Sequence, residues 1–138
     1  MSPREPNPDR MSCLLRGSDA ISKAIAAARA FGEASGLGKD QLARLCIVIE
    51  ELVANLCDHG GLIGLDEVEL TLLGEPHHVR VTLVDRTPPF DPRLAPPGEQ
   101  NPERGGGVGV DIVRAWAQII GYEVTAEGNR LELLLPLR

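Results

Sequence analysis

Aromatic residues are scarce in this chain: one Trp, one Tyr and two Phe among 138 residues. A core made from it has to be aliphatic, packed from Leu, Val, Ile and Ala. Long apolar runs are missing as well. No stretch approaches the ~18 residues that a membrane-spanning helix needs, so no membrane is expected. Positive charge is in short supply: fourteen Lys and Arg against twenty Asp and Glu leave a net charge of −6. Nucleic acids and anionic membranes select cationic faces, which excludes both as expected partners. Cysteine is sparse too, and Cys13, Cys46 and Cys57 form no C-x-x-C. That spacing argues against a disulfide framework or a zinc site and fits reduced, buried thiols in a cytoplasm. The start, MSPREPNPDRM, has no apolar segment behind its charges, so a secretory signal is not expected.

With 43% apolar and 25% charged residues, the composition is that of an ordinary globular domain. At this length one domain is expected, large enough to hold a core without staples. Residues 1–11, rich in proline and charge, read as a disordered tail, and residues 12–138 as a single domain.

Cys13, Leu14 and Leu15 suggest a first strand, and Ser18 reads as the N-cap of a helix that ends near Gly36. Ile21, Ile25, Ala28 and Phe31 supply that helix with a stripe at helical spacing. A second helix after Gly38 carries Leu42, Leu45, Ile49, Leu52 and Leu56, and stops at Gly60-Gly61. Val68, Leu70 and Leu72, then Val79, Val81 and Leu83, alternate with polar residues, a hairpin joined by Gly74-Glu75-Pro76. Residues 86–107 hold six of the eleven prolines and read as a functional loop, a lid hinged at Gly98 and at the glycine run. A third helix from about Val108, with Val110, Val113, Ala117 and Ile120 as its stripe, ends at Gly121. Residues 122–125 and 131–135 close the chain as a hairpin turning on Glu127-Gly128-Asn129. The fold class expected is α+β, a two-layer sandwich with helices on one face of a mixed or mostly antiparallel sheet.

Three polar groupings stand out. Glu51, Asn55 and His59 recur every four residues and so share one line on the second helix. A carboxylate one turn from an amide oxygen can hold a water and a magnesium ion together; a solvated helix face reads from the same residues. Glu50 is the neighbour that competes with Glu51, about 100° round the helix. Asp85 ends an alternating strand, where its carboxylate can accept a hydrogen bond from an exocyclic amine, or simply cap a turn. Arg104, Gly105, Gly106, Gly107, Val108 and Gly109 lead into the third helix, where close backbone amides and the helix dipole favour an anion. A hinge is the other reading. No strand precedes these glycines and no Gly-Lys-Ser/Thr follows, which excludes a dinucleotide fingerprint and a P-loop.

Taken in order, Glu51-Leu52-Val53-Ala54-Asn55 with His59, Asp85-Arg86-Thr87-Pro88-Pro89-Phe90-Asp91-Pro92, Gly106-Gly107-Val108-Gly109-Val110 and Asn129-Arg130-Leu131 resemble the motifs of the histidine-kinase-like (Bergerat-fold) ATPases. The likeness is greatest to their anti-sigma-factor serine/threonine kinases and spans roughly residues 12–138. The resemblance implies ATP and Mg2+ as cofactors. It implies Glu51 as the general base toward a protein hydroxyl and Asn55 as the magnesium ligand. Asp85 would bind the adenine amine, and Arg104 with residues 105–109 would cradle the phosphates under a lid. It implies a sigma factor or a small anti-sigma-antagonist protein as partner, and a homodimer, since such proteins commonly pair. A nucleotide-binding interaction module without turnover is the alternative. Two positions depart from the pattern: Thr87 stands in the place of a glycine beside the base, and Glu132 in that of a small polar residue.

Overall fold

The structure is a computed structural model. It describes residues 9–60, 67–86, 89, 91–94 and 108–137, excluding the side chains of 58–60, 94 and 108–110. Strand β1 (Arg10–Arg16) begins two residues before the expected domain start. Helices α1 (Ala20–Ser35) and α2 (Lys39–Gly60) follow, then strands β2 (Glu67–Glu75) and β3 (His78–Asp85). Helix α3 (Val108–Trp116) and strands β4 (Gln118–Thr125) and β5 (Gly128–Pro136) complete the described chain. The strands form one sheet in the order β1-β2-β3-β5-β4, and every pairing is antiparallel. Helices pack on one face of this sheet, so the α+β sandwich expected from the pattern is the fold found.

The core lies between the layers and is aliphatic except for Phe31, as the shortage of aromatics requires. From the sheet come Val68, Leu70, Leu72, Val79, Val81, Leu83, Leu131, Leu133 and Leu135, all buried at alternate strand positions. From α2 come Leu45, Val48, Ile49, Leu52 and Val53. In α1 the buried line is Ala20, Ala24, Ala28 and Phe31, one step round from the expected Ile stripe, since Ile21 and Ile25 are half-buried. The small alanines let α1 approach the sheet closely. Its start also differs: Gly17–Asp19 is a 3-10 turn, and Ser18 is inside it rather than capping the helix. Gly36, with φ +75°, ends α1 in the left-handed conformation that glycine takes without strain. The three cysteines form no disulfide and are half-buried, with Cys46 and Cys57 packed against the core from α2. Among the described residues no helix is long and apolar enough to cross a membrane.

Helix α3 is shorter than its stripe predicts. It stops at Trp116, and Ile119 and Ile120 belong to β4, with a register shift between Ile119 and Gly121. Two consecutive β-branched residues favour a strand, and Gly121 serves the bulge rather than a helix cap. The closing hairpin turns on Ala126-Glu127, one step earlier than expected, and Gly128 already belongs to β5. Gly128 has φ +136°, and a Cβ there would strike the backbone carbonyl oxygen of Asp85. Gly128→Ala is therefore expected to cost about 1–3 kcal/mol of stability in denaturant unfolding. The β2–β3 hairpin turns on Pro76-His77, so Gly74 and Glu75 are strand residues.

The face of the sheet away from the helices carries ion pairs beside apolar residues such as Leu14. Arg80 donates to both Glu75 oxygens at 3.3 Å and to Glu132 Oε2 at 2.8 Å. Arg16 pairs with Glu67 on the same face. The Arg80 hydrogen bond, helped by His78, holds the Glu75 carboxyl below its ordinary value, as Arg93 does for Asp91. A lowered carboxylate contributes stability above its unfolded pKa and loses it as the pH falls through the folded value. Arg80→Gln should therefore lower the melting temperature at neutral pH, with the deficit closing as pH drops below the ordinary carboxyl value of 4.5. Thermal melts across that range check it.

Candidate nucleotide-binding site

Asp85 is the last residue of β3 and lies opposite Asn129 of β5 in the antiparallel register. Strand parity fixes the direction of both side chains. Asp85 follows Val79, Val81 and Leu83, and Asn129 precedes Leu131, Leu133 and Leu135, so both face the helical layer. There they are buried, 5% and 3% exposed, and Asn129 Nδ2 donates to Asp85 Oδ1 at 3.0 Å. A carboxylate in an apolar interior is costly unless it is hydrogen-bonded, and this amide provides one such bond.

Helix α2 runs above the pair. Its Leu52, Asn55 and Leu56 line a pocket together with Leu83 and Asp85 of β3, Leu131 of β5, Tyr122 of β4 and Pro92. The pocket holds about 340 Å³ of empty space, its open mouth included. Asn55 is 7% exposed and stands on the pocket wall. Glu51 is half-buried one turn before it, on the same face, whereas Glu50 is exposed. Glu51 is the more buried of the two glutamates, and it is not among the residues that line the pocket. His59 belongs to α2, but its side chain lies outside the described residues.

An apolar pocket with a buried carboxylate in its lining has chemistry that suits a flat base with an exocyclic amine. Leucine side chains can exclude water from the faces of such a ring, and a carboxylate, which can accept about four hydrogen bonds, can take an amine. For a divalent ion, Asn55 presents an amide oxygen, a hard donor of the kind magnesium takes. Among the described residues no group of three His, Cys, Asp or Glu side chains could hold a metal by itself. The donor set therefore fits an ion carried largely by phosphate oxygens and water.

Arg104, Gly105, Gly106 and Gly107 lie outside the described residues, as does the stretch from Gly98 to the glycine run that is expected to form a lid. Val108 and Gly109 form the first turn of α3, which leads out of that glycine run. Thr87 lies outside the described residues as well. Glu132 is accounted for differently: it stands on the opposite face of the sheet, bound to Arg80, and does not line the pocket. In the sequence Asn129 stands both as a turn residue and in the Asn129-Arg130-Leu131 motif, without an assigned role, and Tyr122 has none. Asn129 could have been found from its parity with Leu131, Leu133 and Leu135. Nothing local marks Tyr122.

The family model for the histidine kinase-like ATPase domain matches residues 17–135. No curated protein matches the chain. Among solved structures, the nucleotide-free catalytic domain of the histidine kinase ThkA is similar in fold, with a TM-score of 0.51 and 16% identity. That match covers 91% of this chain and 97% of the other. With the family model spanning most of its length, and with a buried carboxylate lining an apolar pocket beside α2, the chain belongs to the histidine kinase-like ATPase domain family, and ATP is the ligand that family implies.

Proposed function

We propose that the chain is an ATP-dependent protein serine/threonine kinase of the anti-sigma-factor type, acting in a cytoplasmic partner-switching circuit. The observation that carries this reading is the buried Asp85, oriented by Asn129 in the lining of the apolar pocket. In this reading Asp85 accepts the N–H of the adenine amine while Leu52, Leu56, Leu83 and Leu131 keep water from the ring. Asn55 would hold magnesium through its amide oxygen. When bound, the ion neutralises charge on the phosphates. Arg104 and the backbone of residues 105–109 complete the phosphate cradle by resemblance.

Glu51 takes the proton from a serine or threonine hydroxyl of the partner. The freed oxygen attacks the γ-phosphorus, the bond to the β–γ bridging oxygen breaks, and ADP leaves. Such a transfer depends on positioning and charge neutralisation, which a carboxylate and a metal-holding amide one helical turn apart can supply. The partner is a sigma factor or a small antagonist protein that carries the hydroxyl, and a homodimer is the assembly proposed. Thr87, in the place of a glycine, favours a second reading, a nucleotide-binding interaction module without turnover.

The two readings separate in one experiment. The protein is used to capture its partner with and without Mg-ATP, and the captured chain is mapped for phosphoserine and phosphothreonine. Phosphate that appears only with Mg-ATP supports the kinase. Nucleotide-dependent capture with no phosphate transferred supports the module. Capture indifferent to nucleotide overturns both.

A further inference from the structure

We propose that Arg114, on the last turn of α3, is a positioning residue that holds the Pro92 wall of the nucleotide pocket; the proposal rests on the pocket's nucleotide reading given above. Arg114 donates from Nε and Nη2 to the same Pro92 carbonyl oxygen, at 3.1 and 2.9 Å. The guanidinium fork makes this grip directional, and its charge makes each bond stronger than a neutral one. Pro92 lines the pocket beside Asn55 and Asp85.

The turn that Arg114 grips is cross-bonded. Pro92–Leu94 is a single 3-10 turn, and the Asp91 carboxylate spans it. Asp91 Oδ1 accepts the Arg93 backbone N–H at 2.9 Å and Nε at 3.0 Å, and Oδ2 accepts Nη2 at 2.7 Å. These bonds tie Pro92 to its neighbours, so a bond that holds the Pro92 carbonyl also bears on the pocket wall.

The other end of the connection is anchored. Val113 is fully buried, Trp116 packs against the core, and the Arg44 guanidinium of α2 lies 5.8 Å from the Trp116 ring centroid. Helix α3 is thereby seated on α2, the helix that supplies Leu52, Asn55 and Leu56 to the same pocket. Arg114 thus spans from a fixed helix to a wall of the pocket that would otherwise depend on its own loop. Pro92 shares with Asp85 the lining that this reading gives to the nucleoside, so the effect is expected on the nucleoside rather than on the phosphates.

The test titrates Mg-ATP, adenosine and inorganic tripolyphosphate into the wild-type protein, Arg114→Ala and Arg114→Lys. Arg114→Ala is expected to weaken ATP and adenosine alike, by about tenfold, while tripolyphosphate binding stays at the wild-type level. Arg114→Lys, which keeps one ammonium donor for the Pro92 carbonyl, should recover part of the loss. Unchanged affinities in Arg114→Ala overturn the proposal, as does a loss for ATP and tripolyphosphate that spares adenosine. If Arg114→Ala folds poorly, Arg114→Lys decides: a partial loss shared by ATP and adenosine supports the role, and wild-type affinity for both overturns it. A wild-type protein that binds neither nucleotide nor nucleoside overturns the nucleotide reading itself, an outcome distinct from wild-type binding with an indifferent Arg114.

Discussion

Glu51→Gln is expected to lower phosphate transfer to the partner by about 10²–10⁴-fold, the contribution typical of a positioned general base. The change removes the proton acceptor and keeps size and shape, so ATP affinity should stay close to the wild-type value. Asn55→Ala should reduce both transfer and affinity, because the amide is a pocket wall as well as the proposed metal ligand. Glu50→Gln is the control for helix register. Glu50 is exposed and Glu51 half-buried, so only the second substitution should act. Transfer measured with γ-labelled ATP and the purified partner checks all three variants. Loss of transfer in Glu50→Gln with retention in Glu51→Gln would move the base by one residue.

Asp85→Asn is expected to weaken ATP binding by about 1–3 kcal/mol, the value of a hydrogen bond to a charged acceptor. The substitution does more than remove charge. Asn129 Nδ2 already donates to Asp85 Oδ1. An amide at position 85 has one oxygen where the carboxylate has two, so it can satisfy Asn129 or the incoming amine in one orientation only. Its NH2 group then faces one of two donors, which is repulsive in a dry pocket. Asn129→Ala should have a smaller effect in the same direction, since it leaves the carboxylate in place but releases its orientation.

Much of this architecture can be read from the residue pattern. The alternation of Val68, Leu70 and Leu72 and of Val79, Val81 and Leu83 is the alternation of the sheet's buried face. The line through Leu45, Ile49 and Leu52 is the buried stripe of α2. Two elements followed competing rules. The segment after Trp116 has apolar residues at helical spacing, yet two adjacent β-branched isoleucines and a glycine suit an edge strand with a bulge better. In α1 two apolar lines run side by side, and the alanine line won because small side chains permit the closest approach to the sheet.

At the site, the expected polar residues of α2 and β3 do converge: Asn55 and Asp85 line one pocket though thirty positions apart. Asn129 is legible by its parity with Leu131 and by its place in the Asn129-Arg130-Leu131 motif, although asparagine beside glycine also signals a turn. Tyr122 and Pro92 reach the pocket through tertiary placement, which no local pattern encodes. Neither could the sequence reveal that Glu132 faces Arg80 on the far side of the sheet, since that depends on register across β3 and β5.

In the proposed function Asp85 recognises the exocyclic amine of adenine. Calorimetric titration of the wild-type protein with Mg-ATP and, separately, Mg-GTP tests it most directly. At the corresponding ring position guanine presents a carbonyl, an acceptor that a carboxylate acceptor rejects. A site built to hydrogen-bond one group discriminates strongly against an analogue that leaves its buried polar atoms unpaired. The account predicts saturable heat with ATP and binding weaker by tenfold or more with GTP, the difference shrinking in Asp85→Asn. Equal affinity for the two nucleotides, or no heat with either, would contradict it.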